Sequence, residues 1–406
     1  MAKEQKELLE ELKVSHRNFS FVGKAKIGDD TFKGATNKEG KTWYHVNTTI
    51  GIETEPGNVV YGRIFGGYKL DNPVLHVRSK TGSDFITIPY ENRDKKELLK
   101  NVSDFSFLNV GIETDSEGNR VYKRFIDSID FENYLSEHLQ DGMEIRVVGQ
   151  VDYSPGKEDQ VYTNYDITAI YLNEDYTNKK GEEVKAQEHQ ARYKQTFVVD
   201  SMVLDKGWEK QFKKDGSIVL SLYVPQYLSQ ILNGEGAYVE WKKTSPVIQN
   251  ITFKADKMAK SIDGAVAMIK KYFDFKKGVR ELTFYVDVRD GYIEGEMAEY
   301  EISKEMRELI DMGLITEDEI KTQVTVRKSR VRELLFAKPS IVMNEDGTPA
   351  LEMYDDKYSD DVLIVPTLDT DDDDEYESQD SESENDDFEE PTNEDSGEID
   401  YMSMFQ

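Results

Sequence analysis

Val59, Tyr61, Arg63 and Phe65 stand two residues apart and are equipped to hold a flat aromatic ligand. In an extended chain alternate side chains point the same way, so the four share one face of a strand. Rings flanking a guanidinium on an open face offer stacking and cation–π contact to splayed bases. Tyr44, Tyr68 and Lys69 lie close in sequence, and Arg78 and Lys80 follow. The same spacing also suits the inward half of a packed strand, in which case Tyr61 and Phe65 are ordinary core.

Basic and aromatic residues interleave in three further places. Lys206, Trp208, Lys210, Phe212, Lys213 and Lys214 cluster in an expected loop. Lys270, Lys271, Tyr272, Phe275, Lys276, Lys277 and Arg280 surround the end of an expected helix, where lysines also complement the helix dipole. Arg327, Lys328, Arg330, Arg332 and Lys338 make the densest basic segment of the chain. Taken together these sets point to stacking by Tyr44, Tyr61, Phe65, Tyr68 and Trp208. Phosphate contact falls to Arg63, Lys69, Arg78, Lys213, Arg327 and Arg330.

Period-two alternation supplies the frame for these residues. Between Gly142 and Leu172, Met143, Ile145, Val147, Val151 and Tyr153 mark one face, Ser154-Pro155-Gly156 turns the chain, and alternation resumes from Val161. Just upstream, Phe131, Tyr134, Leu135, His138 and Leu139 recur at helical spacing and stop at Asp141-Gly142. Earlier strands are expected at Phe19–Ile27, Thr42–Ile52 and Val59–Tyr68, the last broken at Gly66-Gly67. Several strands, a short helix and a closing hairpin make a mainly β chain built on a small β-barrel of OB type.

The same order returns after residue 194. Strands are expected at Gln195–Val203 and at Ser217–Val224, the latter ended by Pro225. A helix face follows at Met258, Ile262, Val266, Ile269 and Phe273, then a strand at Leu282–Val288. The organisation is a helical arm over 1–18 (Leu8, Leu9 and Leu12 on one side), an elaborated OB-like domain over 19–173 and a polar linker over 174–193. A second OB-like domain with added helices covers 194–366, and a disordered acidic tail covers 367–406. Helices are expected at Lys304–Asp311 and Glu317–Thr322, a strand at Val324–Val331, and a hairpin joining Ile341–Met343 to Ala350–Tyr354. GIETEPGNVVY (Gly51–Tyr61) recurs as GIETDSEGNRVY (Gly111–Tyr122), either a duplicated hairpin or one turn chemistry used twice.

Composition narrows the classes. Zero cysteines exclude disulfides and thiolate metal sites. No run approaches a membrane span and the start is no signal peptide, so a cytoplasmic protein with no membrane partner is expected. Of the 81 acidic residues 18 fall in 367–406, which holds none of the 51 basic ones, leaving 63 acids against 51 bases and a body of net charge −12. That balance disfavours a duplex binder but tolerates a groove working by stacking. No GxxxxGK[ST] or GxSxG occurs, and the histidines (His16, His45, His76, His138, His189) lack HExxH spacing. Asp287, Asp290, Glu294 and Glu296 are a weak candidate for Mg²⁺ beside a turn. No enzyme, cofactor or metal is expected.

The tail combines acids over Asp369–Asp400 with an apolar tip in which Tyr401, Met402, Met404 and Phe405 could fill a partner's pocket. Together with GKAKIGDDTFKG, NTTIGIETEPGNVVYGRIFGGY and NYLSEHLQDGMEIRVVGQVDYS, this resembles the large single-stranded DNA-binding proteins of tailed bacteriophages, best over residues 19–172. The resemblance implies sequence-independent binding in DNA replication and recombination, with the tail tip recruiting the proteins of those processes. Bacterial proteins of this type end in Pro-Phe, whereas this chain ends Met404-Phe405-Gln406. The competing class is an acidic-tailed interaction or virion scaffold that ignores nucleic acid. Deleting 367–406 is expected to leave the affinity for labelled oligo-dT unchanged or tighter, because the polyanion repels the ligand; a large loss would contradict the tail's assigned role.

Overall fold

The computed structural model of the chain describes residues 8–364 apart from short internal stretches, the longest being 293–305 and 313–329. The chain is mainly β, with short helices. Its first half contains β1 (Arg17–Lys26), β2 (Trp43–Glu55), β3 (Asn58–Lys69), β4 (Val74–Arg78), β5 (Phe85–Pro89), the one-turn α1 (Lys96–Leu99), β6 (Leu108–Thr114), β7 (Arg120–Phe125), α2 (Ser128–His138), β8 (Glu144–Pro155) and β9 (Val161–Leu172). Five of these strands pair in a closed circuit. β1 lies between β2 and β8, β2 pairs β3, β8 pairs β9, and β9 meets β3 parallel at Arg63 and Asp166.

Alternation explains the inside of this circuit. Phe19, Phe21, Val46, Ile50, Val60, Ile64, Ile145, Val147 and Ile167 point inward and are buried. Helix α2 covers the interior with Phe131 and Leu135, one turn apart and wholly buried. Its start is fixed by Asp127, whose carboxylate accepts the Asp130 N–H at 3.0 Å. Burial of each such large apolar side chain contributes about 1.5–3 kcal/mol.

The second half repeats the plan. It contains β12 (Gln190–Asp200), α3 (Trp208–Asp215), β13 (Ser217–Leu232), β14 (Tyr238–Lys254), the one-turn α4 (Ala255–Met258), α5 (Ile262–Phe273), β15 (Val279–Tyr292) and β16 (Arg330–Pro339). Here β12 pairs β13 and β15, β13 pairs β14, β15 pairs β16, and β16 meets β14 parallel at Leu335 and Thr252. In both halves the strand order within the circuit is first, second, third, fifth, fourth and back to the first. In both a helix precedes the fourth strand of the circuit, α2 before β8 and α5 before β15.

Several expectations are corrected. Residues 8–14 form no helix. Leu9 exchanges backbone hydrogen bonds with Lys357 and Ser359, and Leu12 is buried among Val198, Val279 and Tyr358. Burial of Leu12, with Leu9 packed beside it, outweighs the helical spacing of a short segment, and Leu8 stays exposed. The linker span is partly structured, with β10 (Tyr176–Thr177) pairing β11 (Glu183–Val184) and β12 already under way at Gln190. Strand β13 continues through Pro225, which sits directly opposite Pro246, so the two missing donors fall on one rung. Strand β3 likewise continues through Gly66 and Gly67. A Cβ on Gly66 would lie 2.4 Å from Ser128 Oγ, and one on Gly67 would lie 2.1 Å from the Tyr44 carbonyl. The glycines admit α2 and β2 at close range instead of ending the strand.

The hairpin near the end of the described chain forms, with β17 (Ile341–Met343) at its expected bounds, but the expected second strand divides into β18 (Pro349–Leu351), which pairs β17, and β19 (Met353–Asp355), which joins β15. Most of the helices expected over 304–322, most of the strand expected over 324–331 and the tail over 367–406 lie outside the described residues.

Glu352 ties this end of the chain to the start of β1. Its buried carboxylate meets His16 Nε2 at 2.8 Å and Lys194 Nζ at 3.0 Å, and accepts the Ser340 hydroxyl at 2.6 Å. Burial alone would raise its pKa, but His16, Ser340 and Lys194 outweigh burial and hold it at about 2 against 4.5. A depressed carboxylate stabilises the fold above its unfolded value and loses that contribution as pH falls toward the folded one. The wild type is therefore expected to lose stability between about pH 4.5 and pH 2. Glu352→Gln should lack that component and be less stable at pH 7 by roughly 1–3 kcal/mol, as read by urea unfolding.

Candidate nucleic-acid interface

On β2 and β3 the inward parity is set by Val46, Ile50, Ile52, Val60 and Ile64, all buried. The opposite parity carries Trp43, His45, Tyr61, Arg63 and Phe65, where Tyr61 is 47% and Phe65 48% exposed. The register places Trp43 opposite Lys69, His45 opposite Gly67, Thr49 opposite Arg63 and Gly51 opposite Tyr61. The His45 ring meets Phe65 edge-on with centroids 6.0 Å apart and lies 6.1 Å from Trp43. Arg63 places its Cζ 5.0 Å from the Phe65 centroid. Three aromatic rings thus follow one another across two strands, with a guanidinium against the last.

Arg63 is also committed to a carboxylate. Its Nε and Nη2 donate to the two oxygens of Asp166 at 2.6 and 3.0 Å, across the parallel contact of β3 with β9. The fork fixes the plane of the guanidinium and neutralises part of its charge. Arg63 therefore orients Phe65 more than it offers a free cation. Lys69, exposed at the end of the same face and opposite Trp43, brings a positive charge beside that ring.

Two of the anticipated stacking residues face the other way. Tyr44 shares the inward parity of Val46, and Tyr68 that of Ile64; their rings lie 5.5 Å apart, and Tyr68 packs on Tyr90 at 4.0 Å. Trp43 and His45 take the outward positions that the anticipated set had given to Tyr44. The run Trp43-Tyr44-His45 is aromatic at both parities, so only the phase set by Val46, Ile50 and Ile52 could have told them apart.

The remaining anticipated residues lie elsewhere. Arg78 is on β4, in a two-stranded sheet with β5, over Phe85 at 6.0 Å. The expected loop around Trp208 is helix α3. Trp208 opens it, half-buried against the core, and Phe212 is wholly buried. Lys213 is held by Asp263 at 3.0 Å and Glu209 at 3.2 Å. Arg330 belongs to β16 by its backbone pairing with Tyr292, while its side chain, Arg327 and Tyr401, Met402, Met404 and Phe405 lie outside the described residues.

The repeated sequence forms two hairpins, β2–β3 and β6–β7, and in each the leading glycine lies beneath a tyrosine ring. A Cβ on Gly51 would stand 3.4 Å from Tyr61, and one on Gly111 would stand 3.1 Å from Tyr122. The weak candidate for Mg²⁺ is dispersed. Asp287 accepts a fork from Arg192 at 2.6 and 3.0 Å, and Asp290 faces Arg332 at 3.2 Å; Glu294 and Glu296 lie outside the described residues. Among the described residues no group of three or more His, Asp or Glu side chains is placed to hold a metal ion. No described helix is long and apolar enough to cross a membrane.

The comparisons with known proteins are sparse. No family model matches the chain, and no curated protein matches it. Among solved structures it is similar to a deletion mutant of the single-stranded DNA binding protein from Thermus aquaticus. That likeness has 9% identity and a TM-score of 0.25, covering 70% of this chain and 98% of that one.

Tyr61→Ala combined with Phe65→Ala removes side chains that contribute little to the interior. The double variant is expected to keep the wild-type circular dichroism spectrum and an unfolding midpoint within a few degrees. A collapsed spectrum would show that the two rings are structural.

Proposed function

We propose that each five-strand circuit is an OB-like barrel and that the chain is a sequence-independent single-stranded DNA-binding protein without enzymatic activity. The observation that carries this is the outward face of β2 and β3. Trp43, His45 and Phe65 stand in sequence there, Tyr61 lies farther along the same face, and Lys69 is exposed beside Trp43. Every base has a π-face, so a row of rings binds a splayed strand without reading its sequence, at about 1–3 kcal/mol for each stacked base. A body of net charge −12 adds little general attraction for duplex, which offers its phosphates but hides its base faces. The apolar tip of the acidic tail would recruit replication or recombination proteins, in the manner of the phage proteins that the chain resembles, in the cytoplasm of a host cell.

Fluorescence anisotropy of labelled oligo-dT, against duplex of equal length at low and moderate salt, tests this. Preference for the single strand is expected, weakening with salt. Trp43→Ala with Phe65→Ala should lower the affinity by at least tenfold, the loss of one to two stacked bases. Absence of binding at micromolar protein would return the chain to the scaffold class. Loss of oligonucleotide only when Mg²⁺ is present would reveal a nuclease.

A further inference from the structure

Three arginines use the same edge of the guanidinium in the same way. Arg63, Arg93 and Arg192 each direct Nε and Nη2 at both oxygens of one aspartate, in every case at 2.6 and 3.0 Å. Arg120, on β7, presents that edge to no hydrogen-bond acceptor. Its side chain is 6% exposed, and both Nε and Nη2 are buried without a partner among the described residues. Among the described residues Glu174 brings a carboxylate oxygen only to 3.8 Å from Nη2 and is itself half exposed. A buried cation with an unmet fork is costly, and the cost is relieved by an oxyanion that spans the two donors.

The surroundings favour an anion further. The Tyr176 ring lies against the Arg120 guanidinium at 4.0 Å and holds its plane, as a stacked aromatic does for a fork that must meet two oxygens. Arg146, opposite Tyr171 on the β8–β9 ladder, is a second buried cation; burial pulls its pKa below the ordinary value. Burial raises Tyr176, and both Arg120 and Arg146 act against that rise, so the two cations converge on one ring. Tyr122, the counterpart of Tyr61 in the repeated hairpin, stands beside Tyr171 with centroids 6.2 Å apart and is 45% exposed. It leaves an aromatic edge open beside the buried charges.

We propose that Arg120, backed by Tyr176 and assisted by Arg146, is an oxyanion site that takes one phosphate group. Nε–H and Nη2–H donate to two phosphate oxygens in the geometry that the other three arginines reserve for aspartate. The second positive charge distinguishes the site from those carboxylate forks and matches the higher charge of phosphate. The phosphate comes either from free phosphate or from the backbone of a bound strand. The site stands independently of the strand-binding function proposed above.

The test uses the full chain and inorganic phosphate, with chloride and acetate at matched pH and ionic strength. A saturating rise of the unfolding midpoint by about 2–4 °C is expected with phosphate alone. Arg120→Gln, shown to be folded by circular dichroism, should abolish that rise. Glu174→Gln should keep or enlarge it, and decides the matter should Arg120→Gln fail to fold. An equal response of the wild type to all three anions overturns the proposal. So does a Glu174→Gln protein that is destabilised and deaf to phosphate, because Glu174 would then be the partner of Arg120. Phosphate competing with oligo-dT for the wild type assigns the group to a strand backbone, and phosphate binding without competition assigns it to the free anion. A wild type that answers phosphate but ignores oligo-dT would end the strand-binding proposal and leave this one intact.

Discussion

Six antiparallel rungs between β1 and β12, from Arg17 with Gln195 to Val22 with Gln190, are the constraint on which the rest of the structure depends. β1 already serves β2 and β8, and β12 serves β13 and β15, so this ladder makes one continuous sheet of two closed circuits. Its consequence is burial on both parities. Ser20 and Val22 are as fully covered as Phe19 and Phe21. The interior follows the sheet, and the main apolar cluster runs without a break from Phe19 and Ile50 to Phe284 and Phe336. Polar contacts bind the join at several points. Asn58 takes the Asp290 N–H at 2.8 Å, Gln226 reaches Asp152 at 2.9 Å, and Tyr153 donates to Gln195 at 3.3 Å.

Such a join changes what the segment between the halves can do. A polar connector with glycine ordinarily behaves as a tether that lets two domains move apart. Here residues beyond 189 are committed to the ladder, and β10 and β11 fold back as a small hairpin before it. The outward aromatic face is held with similar economy. It sits on two strands whose other sides are packed core, and the Arg63–Asp166 fork closes β3 against β9 directly beneath Phe65. Half-exposed forks of this kind contribute only about 0.2–1 kcal/mol to stability, so their value lies in geometry.

Much of the architecture was legible in the residue order. Alternation located β1 to β3, β8, β9, β12, β13 and β15, and helical spacing located α2 and α5, because period two and period 3.6 are properties of the local chain; β14 (Tyr238–Lys254) was not anticipated. That Tyr61, Arg63 and Phe65 share one face followed from their spacing, but whether that face turns outward was left open until Val60 and Ile64 were found buried. Trp43 and His45 were missed at a place where neighbouring residues are aromatic at both parities, and Tyr44 was chosen in their stead. The helix expected near Leu8 and Leu12 failed because a short amphipathic segment has no stability of its own and goes where Leu12 can be buried.

What the sequence by itself determined is therefore the kind and order of most elements, the two repeated plans, the shared face of Tyr61, Arg63 and Phe65, and the charge division between body and tail. Tertiary structure alone decided the joining of β1 to β12, the passage of strands through Gly66-Gly67 and Pro225, and the pairing of each arginine. The physical reason is common to all three. Each depends on contacts between residues far apart in the chain, such as Arg63 with Asp166 or Gly66 with Ser128, and local spacing carries no record of which distant partner will arrive. The unmet fork of Arg120 belongs to the same class, since its guanidinium meets the ring of a tyrosine 56 positions away only in the folded chain.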